Sequence, residues 1–534
     1  MPGGARAEGV PVAAVRADSV AASIERVIAA RPILSGYASH RWRHVRALYG
    51  AEASARWLDG ARVNARGSVL LDTIAAASAQ ALDVAEFPLA EIRNAIARLS
   101  STPTADAIAR ADVLISAALV SYAEDLLTGQ VEPRSVNREW HIDPQDVDVE
   151  KVILNTVAQP SLGEALGKLH PQDADYNALV RALARYRAIV KAGGWPTVPQ
   201  LGVLRPGDTA AAGPLGALLA RLHAEDYIDV RPLKPAVSDA DAGAGVETPV
   251  VYDAELAGAV VEYQRRHALA ADSVVGPETL ASLNRSAEYR TQQIGANLER
   301  HRWLPRSLGA RYVLVNVPAF RLRAYDAGQE VLTMGIVVGA EYGGRSTPVF
   351  SDSMAYLVFR PYWNVPAGIA AKELWPKQRR DPGYFARNRY ESVKASWGRY
   401  VRQKPGPGNA LGFVKFIFPN DFNIYLHDTP ARSLFNERVR AFSHGCIRVQ
   451  DPAALAQFVL GWDVARVKDA MDRGADDHRV RLDRKLPVYI VYFTVLERDG
   501  ILEFANDIYD RDEKLVDAVR GAALATSEGL DERR

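Results

Sequence analysis

The feature that most limits what this chain can fold into is a change of period along its length. Between residues 19 and 192, in text rich in Ala, Leu and Arg, apolar residues recur every three to four positions, as in 111–127 and 175–192. That spacing lines one face of a helix. From Arg311 onward the text turns to short runs rich in Val, Ile, Tyr and Phe, at 312–318, 320–325, 331–339, 354–363, 413–419, 423–428 and 488–497. Such runs read as strands. At 534 residues the chain also exceeds what one hydrophobic core supports. The expectation is a multidomain α+β protein, helical first and mostly β afterwards.

Gly193-Gly194-Trp195-Pro196 ends the helical texture, and a run rich in Ala, Asp, Gly and Pro over 232–249 reads as an exposed loop. Leu256, Val260 and Tyr263 form a narrow apolar stripe, and Gly276-Pro277 opens a further helix with proline at a favoured first-turn position. The segment 366–412 interrupts the β texture with Trp375, Tyr384, Tyr390, Trp397 and many basic residues. It is too long for an ordinary connection and reads as an inserted lid. These breaks divide the chain into a disordered N-terminus (1–18), a helical scaffold (19–195, completed by 285–310) and a small helical unit (196–284). A mostly β domain holding the lid (311–511) and a charged C-terminal tail (512–534) follow.

Lys and Arg number 65 against 64 Asp and Glu, so a formal net charge of +1 supplies no field for nucleic acid or anionic lipid. No stretch of about 18 consecutive apolar residues is present, and no transmembrane helix is expected. Arg6, Arg16, Asp18, Glu25 and Arg26 interrupt the first thirty residues, which hold no signal-peptide apolar run. The single cysteine, Cys446, excludes an internal disulfide and a multi-thiolate zinc site. Its neighbours therefore matter.

Cys446 stands in Ser443-His444-Gly445-Cys446-Ile447-Arg448, followed by Asp451-Pro452 and an apolar helical run through Val459, which predicts a turn just before a helix. Nineteen positions upstream is His427, in Asn423-Ile424-Tyr425-Leu426-His427-Asp428. Strand alternation there puts Tyr425 and His427 on one face, opposite Ile424 and Leu426. A thiol is a useful nucleophile only as thiolate, and either His427 or His444 can take its proton. Backbone N–H groups near Gly445 and Cys446, with the Tyr425 hydroxyl, are candidate donors to an oxyanion. A lone cysteine is more often a buried small hydrophobe, but two histidines, a serine and a glycine around it weigh against that. His427, Asp428, His444 and Cys446 are also possible zinc ligands, yet no second cysteine or His-x-x-x-His pair joins them, and no metal or cofactor is expected.

The hexapeptide 443–448, with His427 nineteen residues before the thiol, closely resembles the signature of the YkuD-type L,D-transpeptidases. Pro361-Tyr362-Trp363-Asn364-Val365-Pro366, Asp381-Pro382-Gly383-Tyr384 and His427-Asp428-Thr429-Pro430 resemble the large, YcbB-like branch of that family. The stretches 252–265 and 275–280 are similar to a peptidoglycan-binding domain of the small three-helix type, and the helical remainder to the scaffold of the same branch. The resemblance implies a mostly β catalytic domain with a capping lid. In that family Cys446 would attack the carbonyl of the third stem residue, usually meso-diaminopimelate, in a donor tetrapeptide and release D-alanine. An acceptor amine would then resolve the thioester into a 3→3 cross-link.

By the same resemblance His427 matches the base, and Tyr425 and the backbone of His444 to Cys446 match the oxyanion region. Ser443 and His444 would shape the turn, and Arg448 matches the position just after the signature cysteine. Trp363 and Asn364 are candidates to line the donor pocket, though a tryptophan after such a strand is as often core packing. Peptidoglycan stems and other cell-wall synthesis proteins are the implied partners. The family is exported, which implies a periplasmic site of action and a leader removed before this numbering. An L,D-carboxypeptidase or endopeptidase using the same Cys and His, a non-catalytic peptidoglycan-binding protein and a metallopeptidase are the alternatives.

Overall fold

The structure, a computed structural model, describes residues 16–32, 34, 37–50, 53–142, 147–236, 249–341, 345–498 and 500–528. Most of the N-terminus expected to be disordered, 1–15, lies outside these; the first helix, Ala17–Ala30, already begins at residue 17.

The scaffold is built on the helix Ala105–Thr128, capped by the Thr104 hydroxyl, which accepts from the Ala107 N–H at 3.2 Å. From Ala111 to Ala123 every residue is buried. A helix apolar all round must be enclosed, and Ala17–Ala30, Arg41–Tyr49 and Leu89–Ser101 pack against it. Asp112, one of its two buried carboxylates, accepts from the Tyr49 hydroxyl at 2.6 Å and from the Trp57 N–H at 2.8 Å, which offsets the cost of burying it. The helix Ala287–Arg302 returns to pack on Ala174–Lys191, joining the scaffold to the β region through Ile294, Leu298, Val495 and Phe504.

The small unit has the helices Ala212–His223, Ala254–Arg266 and Pro277–Leu283 around one core. The apolar stripe read in the sequence is its buried face: Leu256, Val260 and Tyr263 are all fully enclosed. Pro277 does stand in the first turn. Of the expected exposed loop at 232–249, residues 237–248 lie outside the described residues.

The β region is built on one ten-stranded sheet. In chain order its strands are β1 Trp140–His141, β2 Arg311–Asn316, β3 Arg321–Asp326, β4 Gln329–Gly339, β5 Val349–Phe359, β9 Val414–Ile417, β10 Leu426–His427, β11 Ala441–Ser443, β12 Ile447–Val449 and β13 His478–Val491; the lid supplies β6 to β8. Neighbours run β9-β10-β12-β4-β3-β2-β13-β5, and β9 pairs again with β5 at Val414↔Phe359, so the sheet closes on itself. Closure leaves few free edges. Val313, Val315, Leu322, Ile336, Leu357, Phe416 and Ile490 fill the interior. β1 belongs to the scaffold in sequence, yet pairs in parallel with β5 at Trp140↔Val349, and Trp140 meets Trp303 edge-on at 4.8 Å.

The insertion carries its own sheet, β6 Trp363–Asn364, β7 Tyr390–Ala395 and β8 Gly398–Gln403, over a small core of Val365, Ala370, Leu374, Phe385 and Val401. The lid thus begins before the expected residue 366, because Trp363 pairs with Gln403. The expected C-terminal tail is a helix, Asp512–Glu528. Its charged text hides an anchor: Asp512 is buried and ion-paired to Arg300 at 2.5 Å, and Leu515 enters the core.

Candidate active site

β10 and β12 lie in parallel, Leu426 opposite Ile447 and His427 opposite Arg448. The Ile447 N–H donates to the Tyr425 carbonyl at 3.1 Å, which sets Tyr425 beside Cys446. Residues paired across a ladder project to the same side. Leu426 and Ile447 therefore enter the barrel core together, and Tyr425, His427, Cys446 and Arg448 share the opposite face. The Tyr425 and His427 rings stand 5.7 Å apart.

Two local expectations are corrected. The paired strand is only Leu426–His427, because Asn423 turns into the left-handed region at φ 55° and presents its carbonyl to the Cys446 thiol, which donates to it at 3.7 Å. Nor does the cysteine directly precede a helix. β12 intervenes before Pro452–Leu460, whose cap is the Asp451 carboxylate accepting from the Ala454 N–H at 2.9 Å.

The turn itself is tied from both ends. The Ser443 hydroxyl donates to the Cys446 carbonyl at 2.6 Å and accepts from the Gly445 N–H at 3.1 Å. Gly445 sits at φ 111°, a conformation that excludes side chains. The fully buried Thr347 donates to the Gly445 carbonyl at 2.9 Å and accepts from the Gly339 N–H at 2.9 Å. A Cβ on Gly339 would lie 1.9 Å from the Arg345 carbonyl, so glycine is required there. Because the Gly445 N–H is committed to Ser443, the donors left for an oxyanion are those of His444 and Cys446.

His427 is buried, and its Nδ1 lies 2.5 Å from the Asp428 carbonyl. A carbonyl only accepts, so Nδ1 carries the proton and Nε2 is the basic nitrogen. Burial, reinforced by the Arg448 and Lys415 cations, pushes this imidazole down to about 3. Burial pushes the Cys446 thiol up, opposed by hydrogen bonds from Tyr425 and by the Arg448 charge. Both groups are thus neutral at rest. The Asp428 carboxylate holds the loop behind the histidine, accepting from the N–H groups of Phe413 at 2.8 Å and Thr429 at 2.6 Å and from Arg432.

Against this geometry stand the comparisons with known proteins. Residues 310–490 match the family model of the L,D-transpeptidase catalytic domain, YkuD, and residues 43–183 match a Scaffold domain. The chain contains a YkuD-type L,D-transpeptidase catalytic domain. A curated relative, "Putative L,D-transpeptidase" of Haemophilus influenzae, is 32% identical over 246 residues, covering 42% of this chain. The chain spans about half the length of that relative, 49%. Among solved structures, an L,D-transpeptidase in complex with imipenem is 16% identical at a TM-score of 0.20, covering 34% of this chain and 59% of that one. The enzyme of Stackebrandtia nassauensis is 13% identical at 0.21, covering 57% and 100%.

The YkuD domain does not bring all the expected residues to the thiol. His444 turns outward, its Nε2 2.9 Å from Glu373 of the lid, and Arg345 approaches the same carboxylate at 3.9 Å. Trp363 faces Tyr390 at 6.4 Å inside the lid, and Asn364 is exposed beside it. Among the described residues no three His, Cys, Asp or Glu side chains gather as metal ligands would. Sequence reasoning missed Thr347, Glu373 and the Asn423 carbonyl. No motif flags them, since each acts through a contact made only once the barrel has closed.

Proposed function

We propose that this protein is a cysteine-dependent L,D-transpeptidase acting in the periplasm on peptidoglycan stems and forming 3→3 cross-links. The supporting observation is the shared face of β10 and β12, which sets a half-buried thiol, a tyrosine hydroxyl, an imidazole with its basic nitrogen free of Nδ1 and an arginine side by side. Cys446 gives its proton to His427 Nε2 and attacks the carbonyl of the third donor residue. The N–H groups of His444 and Cys446 donate to the oxyanion. The tetrahedral adduct collapses, the carbon–nitrogen bond to D-alanine breaks, and the imidazolium returns its proton to the leaving amine. The acceptor amine then attacks the thioester, His427 takes the amine's proton, and the thiol is regenerated.

Tyr425 steadies the developing thiolate through its hydroxyl, since that hydroxyl hydrogen-bonds the sulfur. Arg448 receives a substrate carboxylate: its guanidinium has no carboxylate partner among the described residues, and its Nε is buried without one. The lid excludes water from the thioester, where hydrolysis competes with transfer.

The test is mass spectrometry of the protein with a disaccharide-tetrapeptide, beside Cys446→Ala. A cross-linked dimer lacking one D-alanine, lost in the variant, is expected. Tripeptide alone would make the protein a carboxypeptidase, and no turnover would overturn the reading. A carbapenem should add covalently to Cys446, because its strained carbonyl meets the same thiolate, and intact mass reads the adduct.

A further inference from the structure

A cavity of about 620 Å³ lies away from Cys446, where the small helical unit, the helix Ala287–Arg302 and the C-terminal helix meet. Its walls carry opposite charges. Arg285 and Arg290 line it, as do Glu513 and Asp517, one turn apart on the C-terminal helix and both exposed, with Arg520 further along the same helix. Arg285 is held over the Tyr289 ring at 4.6 Å and has no carboxylate partner among the described residues. Two side chains of the lining are buried and unsatisfied there: the Nε of Arg290 and the Nε2 of His267, which is only 2% exposed. His267 Nδ1 lies 2.8 Å from the Tyr263 carbonyl and must carry the proton, so the unpartnered Nε2 is an acceptor. Buried polar atoms without partners are uncommon and call for an explanation.

Cations, carboxylates and an acceptor around a cavity of ligand size suit a short zwitterionic peptide with amide N–H groups. We propose that the cavity holds a second peptidoglycan stem, its carboxylate against Arg285 and Arg290, its ammonium between Glu513 and Asp517, and an amide N–H donating to His267 Nε2. The assignment rests on the transpeptidase reading for the identity of the peptide. Glu513 and Asp517, four residues apart on one helix face, repel unless a cation lies between them. The site also reaches the catalytic turn. Arg438 lines the cavity, pairs with Glu278 at 2.8 Å, and stands three residues before β11, which leads into Ser443.

The experiment is calorimetric titration of the full chain, as Cys446→Ala to block turnover, with a disaccharide-tetrapeptide. A stem bound in addition to the donor and acceptor at the active site is expected. Glu513→Lys with Asp517→Lys, both on an exposed face, should weaken that additional binding roughly tenfold or more and leave the rest. Acetylating the free side-chain amine of the stem should produce the same loss in the unreversed chain. The same number of stems with unchanged affinities in the reversed variant would overturn the proposal, as would equal binding of the acetylated peptide. Turnover by the wild-type chain is scored separately: the additional stem bound without any turnover would sink the transpeptidase reading and leave the cavity standing.

Discussion

Two histidines of this chain are held almost alike. His427 in the barrel and His267 in the small helical unit are both buried, both give their Nδ1 proton to a backbone carbonyl, and both are pushed down to about 3, chiefly by burial. Their neighbours differ. Beside His427 stand Arg448, Lys415 and, two residues before Arg448 on the partner segment, the thiol of Cys446. His267 is instead stacked between Tyr263 at 3.8 Å and Phe504 at 5.1 Å, with Glu225, Arg290 and Arg221 around it. A strongly shifted imidazole therefore does not by itself mark a general base. What distinguishes the two is whether a thiol shares its face.

The largest effect that would break this comparison comes from His427→Gln. Removing the proton acceptor should lower kcat for cross-linking roughly a thousandfold while Cys446 remains present and alkylatable. Unchanged turnover would move the base elsewhere, to His444 first. A smaller effect, about tenfold in kcat, is expected from Tyr425→Phe, which removes one donor to the sulfur. Its distinguishing readout is the pH profile of Cys446 alkylation. In the parent the profile already rises above the ordinary thiol range because burial raises the thiol, and losing the hydroxyl should move it higher still. A profile that stays in place would remove Tyr425 from the thiolate.

Much of this site was legible in the sequence, for a physical reason. Strand alternation groups Tyr425 with His427 without coordinates, whereas Cys446, read as part of a turn before a helix, and Arg448, matched only by family resemblance, join them through the pairing of β10 with β12. The fold's change of texture at Arg311 was legible too, since β2 begins at that residue. What could not be read depends on long-range closure. Trp140–His141 completes the sheet from inside helical text, where a two-residue strand has no period to show. The role of Glu373 on His444 spans 71 positions, and the burial of Asp512 depends on Arg300, 212 positions away. Charged text reads as tail until its counter-charge is found.

The paired histidines also set an acid limit on stability. An unfolded imidazole takes up a proton near its ordinary value of 6.5, whereas these two resist it until about 3. Between those values the unfolded chain binds more protons, so the stabilising contribution is complete above 6.5 and is lost as pH falls toward 3. His267→Phe should flatten that loss in thermal unfolding followed from pH 7 to 4, and the double change with His427→Gln should flatten it further. A slope identical to the parent would mean the imidazoles are protonated in the folded protein.

The smallest effect concerns the lid. Glu373 is the carboxylate that His444 and Arg345 approach, and all three are partly exposed, so solvent screens the attraction and an ion pair of this kind contributes less than about 1 kcal/mol. Glu373→Gln keeps an acceptor for His444 but removes the charge. The step that should suffer is the one that needs the lid shut, after D-alanine has left and while the thioester waits for an amine. Acylation of Cys446 should therefore stay near the parent rate, while the ratio of cross-linked dimer to hydrolysed tripeptide falls about two- to threefold, the size expected from losing one screened pair. If acylation slows by the same factor as transfer, the Glu373 contact shapes the catalytic turn itself and the lid has no separate part in acceptor choice.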